Sequence, residues 1–155
     1  MPVRNWYRSV PLMLALALLA PGAVPAATSA GMAPDYTPPR GAYNPAVTQT
    51  NINQTICVRG WTKTVRPPRA YTDQLKRRQI TARHLPGPVG AYEEDHLIPL
   101  ELGGHPTDPT NLWPQPWDQA KRKDTWELSL NRAVCAGRMS LADARRQIAD
   151  PSRWQ

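Results

Sequence analysis

The chain has 155 residues, and its 19 Lys and Arg outnumber its 12 Asp and Glu, so the formal net charge is +7. The length suits one main domain. Two cysteines and three scattered histidines exclude a cysteine-rich zinc centre, which needs four nitrogen or sulfur ligands. The basic excess favours a polyanionic partner such as nucleic acid. A solvated basic surface is the alternative.

The first residues have the layout of a secretory signal peptide. Arg4 and Arg8 precede an apolar run at 10–20, which is followed by a Pro-, Gly- and Ala-rich stretch. We predict a signal peptide over residues 1–26, with cleavage after residue 26 or 30. The apolar run is shorter than the ~20 residues of a membrane span. We therefore expect a secreted or periplasmic protein without stable membrane association, and an uncleaved anchor is the alternative.

The rest of the chain divides into a linker and a domain. Residues 27–50 are poor in apolar side chains and rich in Pro and Thr, which indicates a flexible linker before a domain over residues 51–155. That domain contains Cys57 and Cys135. An even pair of cysteines in an exported protein predicts one disulfide, with two separate buried thiols as the alternative.

The first elements of the domain are predicted from alternation and helical spacing. Residues 55–65 alternate β-branched and polar side chains, which predicts a short strand. Residues 72–80 read as a helix capped by Thr72, with Leu75 and Ile80 facing inward.

The stretch 92–124 holds the groups that could carry chemistry. Asp95 and His96 are adjacent, Gly103 and Gly104 permit a tight reversal, and Asn111 starts the returning segment. Hydrolysis of a phosphodiester needs a base and a cation. A His is a suitable base near neutral pH, and Asp and Asn oxygens suit a hard divalent cation. If a strand ends at His96, both side chains can address one site.

The second half of the domain is predicted to form two helices. Pro114 and Pro116 are expected to end the returning strand, and a helix follows over residues 117–134 with Leu128 as a potential core position. Ser140 resembles the start of a capping box for a helix over 141–149.

These residues resemble the HNH, or His-Me finger, nuclease family. The match consists of a DH-x-x-P-L sequence from Asp95 to Leu100, the double glycine, Asn111-Leu112 and Lys123. The longer run also resembles small secreted bacterial HNH-like proteins. The resemblance implies a two-stranded hairpin plus helix, with His96 as general base and Asp95 as a ligand of one divalent metal ion.

One position departs from the family pattern. Ala120 stands where the family usually has a second metal ligand. Either Asn111 itself becomes the ligand, or the site is degenerate. Asp95 and Asn111 as ligands would suit Mg²⁺ or Mn²⁺.

Basic residues and a second histidine are candidates for binding substrate. Lys121, Arg122 and Lys123 lie near a predicted helix N-terminus, where cations oppose the helix dipole, so a nearby phosphate would explain them. The basic run 76–78 either contacts phosphate or is a solvated helix face. His105 in the hairpin turn either touches substrate or faces solvent.

Together these observations predict a small α+β domain with a ββα core, flanking helices and a short additional strand. The expected function is an exported, metal-dependent nuclease of low sequence specificity that acts on DNA or RNA. The alternative is a catalytically degenerate protein with the same fold that binds nucleic acid or another protein.

Overall fold

The computed structural model describes residues 33–154, so the predicted signal peptide lies outside the described residues. Within residues 33–154 the chain forms four α-helices and one two-stranded sheet, which confirms the predicted α+β class. The elements are α1 (Trp61–Val65), α2 (Arg69–Ala82), β1 (Tyr92–His96), β2 (Leu112–Pro116), α3 (Trp117–Cys135) and α4 (Leu141–Ile148). No helix in this part of the chain combines the length and apolar character needed to cross a membrane.

The hairpin and the helix after it have the predicted ββα order. Strands β1 and β2 pair antiparallel, with Tyr92 opposite Pro116 and His96 opposite Leu112, and α3 packs against both strands. The prediction that Pro114 ends the returning strand is wrong, because β2 continues to Pro116. Proline is tolerated here because β2 is an edge strand, on which alternate backbone nitrogens face away from the partner.

Helices α2 and α4 follow the spacing of their apolar residues. Leu75 and Ile80 of α2 are buried as predicted, but the helix begins at Arg69, so Thr72 is not its cap. The side chain of Ser140 accepts a hydrogen bond from the backbone N–H of Asp143, which confirms the predicted cap of α4. Apolar periodicity therefore located both helices, and the first residue was predicted correctly for α4 but not for α2.

Helix α3 covers the sheet with a narrow buried stripe. Its buried residues, Ala120, Lys123, Leu130 and Val134, are three, seven and four positions apart, which keeps them on one helix face. The prediction of Leu128 as a core residue is wrong, since it lies off this stripe and is 45% exposed.

The predicted short strand at 55–65 is absent. Residues Gln49–Gln54 form a 3₁₀ helix, turns follow, and α1 begins at Trp61. Ile52 and Ile56 are both buried. Val58 is 45% exposed, whereas a half-buried strand that buries Ile56 would bury Val58 as well.

The domain starts earlier than residue 51, so the predicted linker is wrong for its second half. The backbone N–H of Gly41 donates to the carbonyl of Thr110, and that of Asn44 donates to the carbonyl of Gly103. Val47 is buried in the main core. Few apolar side chains were needed to fix this segment, because its backbone hydrogen bonds attach it to the loop between the two strands.

Cys57 and Cys135 form the predicted disulfide, with their Cα atoms 5.5 Å apart. The bond joins the segment before α1 to the last residue of α3.

Removing this disulfide should lower the free energy of unfolding by about 4 kcal/mol, because the unfolded chain regains the freedom of a long closed loop. The sequence separation of 78 residues sets the size of that loop. Urea denaturation of the Cys57→Ala/Cys135→Ala variant would measure the loss. Reduced wild-type protein is the matched control, and an unchanged urea midpoint in both samples would contradict the prediction.

Candidate active site

Strand β1 ends at His96, and this ending brings His96 and Asp95 to one place. Both side chains line a cavity of about 80 Å³ between the strand and α3. We call it the acidic cavity, because Glu93, Asp124 and Glu127 line it as well. Adjacent strand residues point to opposite faces, and the two side chains reach this cavity from two sides at the end of β1.

The ring of His96 is held in one orientation. Its side chain is buried, and Nε2 lies 2.9 Å from the carbonyl oxygen of Pro106. A carbonyl only accepts, so Nε2 carries the proton and Nδ1 carries the lone pair. Nδ1 has no hydrogen-bond partner within residues 33–154. Burial lowers the pKa of His96, so the ring is a neutral base near pH 7.

Asn111 clamps the segment that follows His96. Its Oδ1 accepts from the backbone N–H of Ile98 at 2.9 Å and of Ala42 at 3.3 Å. Its Nδ2 donates to the carbonyls of Ile98 and His105, both at 3.0 Å. The amide is therefore fully used by the backbone, and Asn111 supports the shape of the loop.

Gly104 makes this clamp possible. A Cβ at this position would lie 1.7 Å from the carbonyl oxygen of Ile98 and 2.9 Å from Nδ2 of Asn111. Only glycine allows the two backbone segments to approach so closely. The double glycine thus has a packing role beyond the turn that the sequence predicted.

Lys123 is the central cation of the site. It is 0% exposed, and its Nζ donates to Asp95 Oδ2 at 2.9 Å, to the carbonyl of His96 at 2.7 Å and to Glu127 Oε1. Burial by itself would lower the pKa of Lys123, but the two carboxylates outweigh it and raise the pKa. The prediction that Lys123 binds phosphate directly is wrong, because the residue lies on the buried stripe of α3.

The other predicted substrate-binding residues have partners or positions outside the two cavities that His96 lines. Lys121 is exposed, and Arg122 donates from Nε to the carbonyl of Trp154 and pairs with Asp118. The Nδ1 atom of His105 accepts from two backbone N–H groups in its own turn. None of the three lines either of the cavities beside His96.

Sequence reasoning missed a second cavity on the other side of His96. This groove has a volume of about 420 Å³ and runs between α2 and β1. We call it the basic groove, after its three cations. Its lining residues are Arg66, Pro67, Arg69, Thr72, Asp73, Lys76, Glu93, Glu94, His96 and Trp117. The Arg-Pro-Pro-Arg sequence before α2 was the available signal, but no spacing connected it to His96.

Residues of the basic run 76–78 separate in space. Lys76 lines the basic groove and donates to the carbonyl of Tyr92 at 3.0 Å, whereas Arg77 and Arg78 are exposed on the outside of α2.

Trp117 borders the same groove and is 43% exposed. Its Nε1 donates to the carbonyl of Gly90, so the indole is held in place.

Two glutamates of β1 hold protons more tightly than usual. Burial raises the pKa of Glu94 to about 8, and the nearby Asp95 carboxylate adds to the effect. Both carboxyl oxygens of Glu94 are buried, and neither has a hydrogen-bond partner in the described part of the chain. Burial, with Asp95 and Asp124, raises the pKa of Glu93 to about 7. Glu94 is therefore mostly a neutral acid at pH 7.

The predicted metal ligands do not fit a directly bound Mg²⁺ or Mn²⁺. The oxygens of Asp95 accept from the backbone N–H of His96 and from Lys123, and the amide oxygen of Asn111 already accepts two N–H groups. Ala120 has no ligand atom and is buried. Within residues 33–154, no group of three or more His, Cys, Asp or Glu side chains is arranged to hold a metal ion. The cation beside Asp95 is an ammonium group.

Comparison of the chain with protein-family models, with curated proteins and with solved structures gives no match. Membership of the HNH family therefore stays a prediction, supported by the motif in residues 92–124 and by the ββα order of the elements.

Proposed function

We propose that this protein is an exported nuclease that cleaves phosphodiester bonds in the basic groove, with His96 as the general base. The observation that carries the proposal is the His96 ring. Nε2 is held by a carbonyl, Nδ1 has no hydrogen-bond partner within residues 33–154, and His96 lines the basic groove. A neutral imidazole with one oriented lone pair is suited to remove a proton from a nucleophile.

Glu94 is the proposed general acid, and since both of its carboxyl oxygens are buried, its side chain must turn toward the groove when substrate binds. It lies two residues before His96 on β1, so the two side chains share a strand face, and both line the basic groove. Their environments shift the two pKa values in opposite directions, downward for His96 and to about 8 for Glu94. Such a pair supplies one base and one acid at the same pH.

Cations of the basic groove would bind and stabilise the phosphate. Arg66, Arg69 and Lys76 line it, and Arg66 also lines the acidic cavity beside His96. A guanidinium group binds two phosphate oxygens at once and remains charged at all working pH values. Arg66 is thus the candidate for stabilising the charge that develops on the phosphate, and Trp117 can stack on a base.

Export is supported by two independent features. The first residues have the layout of a signal peptide, and the Cys57–Cys135 bond suits an oxidising compartment.

A second candidate function is a binding module without catalysis. The engagement of Asp95 and Asn111 in internal bonds, together with Ala120, favours this alternative. It would retain the basic groove and bind nucleic acid there without cleaving it.

An assay of cleavage against pH would test the proposed function. We expect the mature protein to cut nucleic acid, with a rate that falls at acid pH as His96 becomes protonated. The rate should also fall above about pH 8 as Glu94 loses its proton. Glu94→Gln should lower kcat by at least ~10²-fold and remove the alkaline fall, because an amide cannot donate the proton.

Asp118→Asn is the matched control, since Asp118 lies on the exposed side of α3, and its profile should equal that of the wild type. Binding of nucleic acid without cleavage at any pH would refute the nuclease and leave the binding module.

A further inference from the structure

The internal bonds of Lys123 leave no place for a metal ion between Asp95 and Glu127. An ammonium group has three N–H donors, and Lys123 uses them on Asp95, the carbonyl of His96 and Glu127. The side chain is 0% exposed, so the ammonium group does not reach substrate. The carboxylates that would be metal ligands instead accept hydrogen bonds from Lys123, which also donates to the carbonyl of His96.

This arrangement limits which nucleophile the site can activate. Bulk water has a pKa near ~15.7, and enzymes that use it on phosphates commonly lower that value with a bound metal ion. Here the activating group is one imidazole. The cations of the basic groove are Arg66, Arg69 and Lys76, of which Arg69 pairs with Asp73, and Glu93 and Glu94 line the groove as well. A nucleophile already attached beside the phosphate needs far less help, because effective concentrations in such reactions reach ~10⁵–10⁸ M.

RNA carries such a nucleophile, its 2′-hydroxyl, and DNA does not. We propose that the substrate is RNA and that the strand is cut by its own 2′-hydroxyl at His96, without a metal ion. This inference rests on the proposed function, which it narrows to one class of nucleic acid.

The reaction balances with His96 as base and Glu94 as acid. Nδ1 of His96 takes the proton of the 2′-hydroxyl, and the 2′-oxygen forms a bond to the adjacent phosphorus. The bond from phosphorus to the 5′-oxygen breaks, and the leaving oxygen takes a proton from Glu94. The products are a 2′,3′-cyclic phosphate end and a 5′-hydroxyl end.

The groove suits an unpaired strand. Trp117 presents an indole that is fixed at one edge by Gly90 and 43% exposed, beside the groove that holds His96. Unpaired bases of RNA stack on such aromatic side chains, whereas the bases of a duplex are already stacked on one another. Trp117→Ala should therefore weaken binding of single-stranded RNA more than binding of duplex RNA.

A set of matched oligonucleotides would test the proposal in the presence of a chelator. The strands share one base sequence, and all their sugars are 2′-deoxyribose except at one nucleotide. The sugar of that nucleotide is ribose, 2′-deoxyribose or 2′-O-methylribose. We expect a single cut after the ribose, slower by more than ~10³-fold in the other two strands because the internal nucleophile is missing. Mass spectrometry should find the cyclic phosphate, and His96→Ala prepared in parallel should show no cut.

The other outcomes separate the two proposals. Equal cutting of the three strands, or cutting that stops when chelator is added, would overturn the RNA inference and leave the nuclease in place. Cutting that persists in His96→Ala would overturn the role of the base in both proposals. If the wild type cuts neither these strands nor natural RNA and DNA, with or without Mg²⁺, the proposed function fails and this inference fails with it.

Discussion

Replacement of Lys123 by Met is expected to lower the free energy of unfolding by about 3–5 kcal/mol, the loss typical when one partner of a buried ion pair is removed. Met keeps the length of the side chain but no charge. Asp95 and Glu127 would then face each other without the ammonium group, and the carbonyl of His96 would lose its donor. The loss of packing is small, so the charges account for most of the effect.

The loss should depend on pH, and its sign follows from Glu127. Burial raises the pKa of Glu127 to about 7 even with Lys123 present, and removal of the ammonium raises that pKa further. A carboxyl group whose pKa is raised in the folded state costs no stability below its unfolded pKa, and the cost grows as pH rises until it is complete above the folded pKa. Urea denaturation at about pH 8.5 should therefore show a larger deficit than at about pH 5.5.

Two further variants test whether the loss of stability comes from the buried charges. Lys121→Met removes an exposed charge from the same helix and should change stability by less than about 0.5 kcal/mol. Lys123→Met combined with Asp95→Asn and Glu127→Gln should recover part of the loss, because neutral amides tolerate burial better than unpaired charges. A Lys123→Met protein with wild-type stability at both pH values would show that the buried ion pairs contribute little.

His96→Ala is expected to lower kcat/KM for nucleic acid by at least ~10²-fold, the usual contribution of a general base. Binding of nucleic acid should remain, because the cations of the basic groove are unchanged. His96→Gln is the sharper variant. Its amide can still donate to the carbonyl of Pro106 and fill the buried space, but it cannot accept a proton from a nucleophile.

Steady-state kinetics with a fluorescent oligonucleotide would measure both variants. Free imidazole added to His96→Ala should restore part of the rate, which a merely structural role would not predict. His84→Ala is the control, since His84 is exposed and lines neither of the cavities beside His96. Full activity in His96→Gln would remove the base assignment.

The amino-acid sequence by itself determined the features that depend on local spacing. Period-3.6 apolar residues located α2, α3 and α4, and the Asp95, Gly104 and Asn111 pattern correctly predicted a hairpin whose first strand ends at His96. The cysteine count predicted the disulfide. Each of these features follows from the spacing within a short segment or from a residue count. None depends on which distant residues are in contact.

Only the tertiary structure decided what the polar residues do. Lys123 is 28 positions from Asp95, and the docking of α3 on the hairpin turned a predicted surface cation into the buried partner of two carboxylates. Folding also engages the amide oxygen of Asn111 in hydrogen bonds from the backbone of Ile98 and Ala42. It brings Arg66 and Arg69 to the groove beside His96. Residue type states which atoms can donate or accept, but long-range packing chooses their partners and removes them from water.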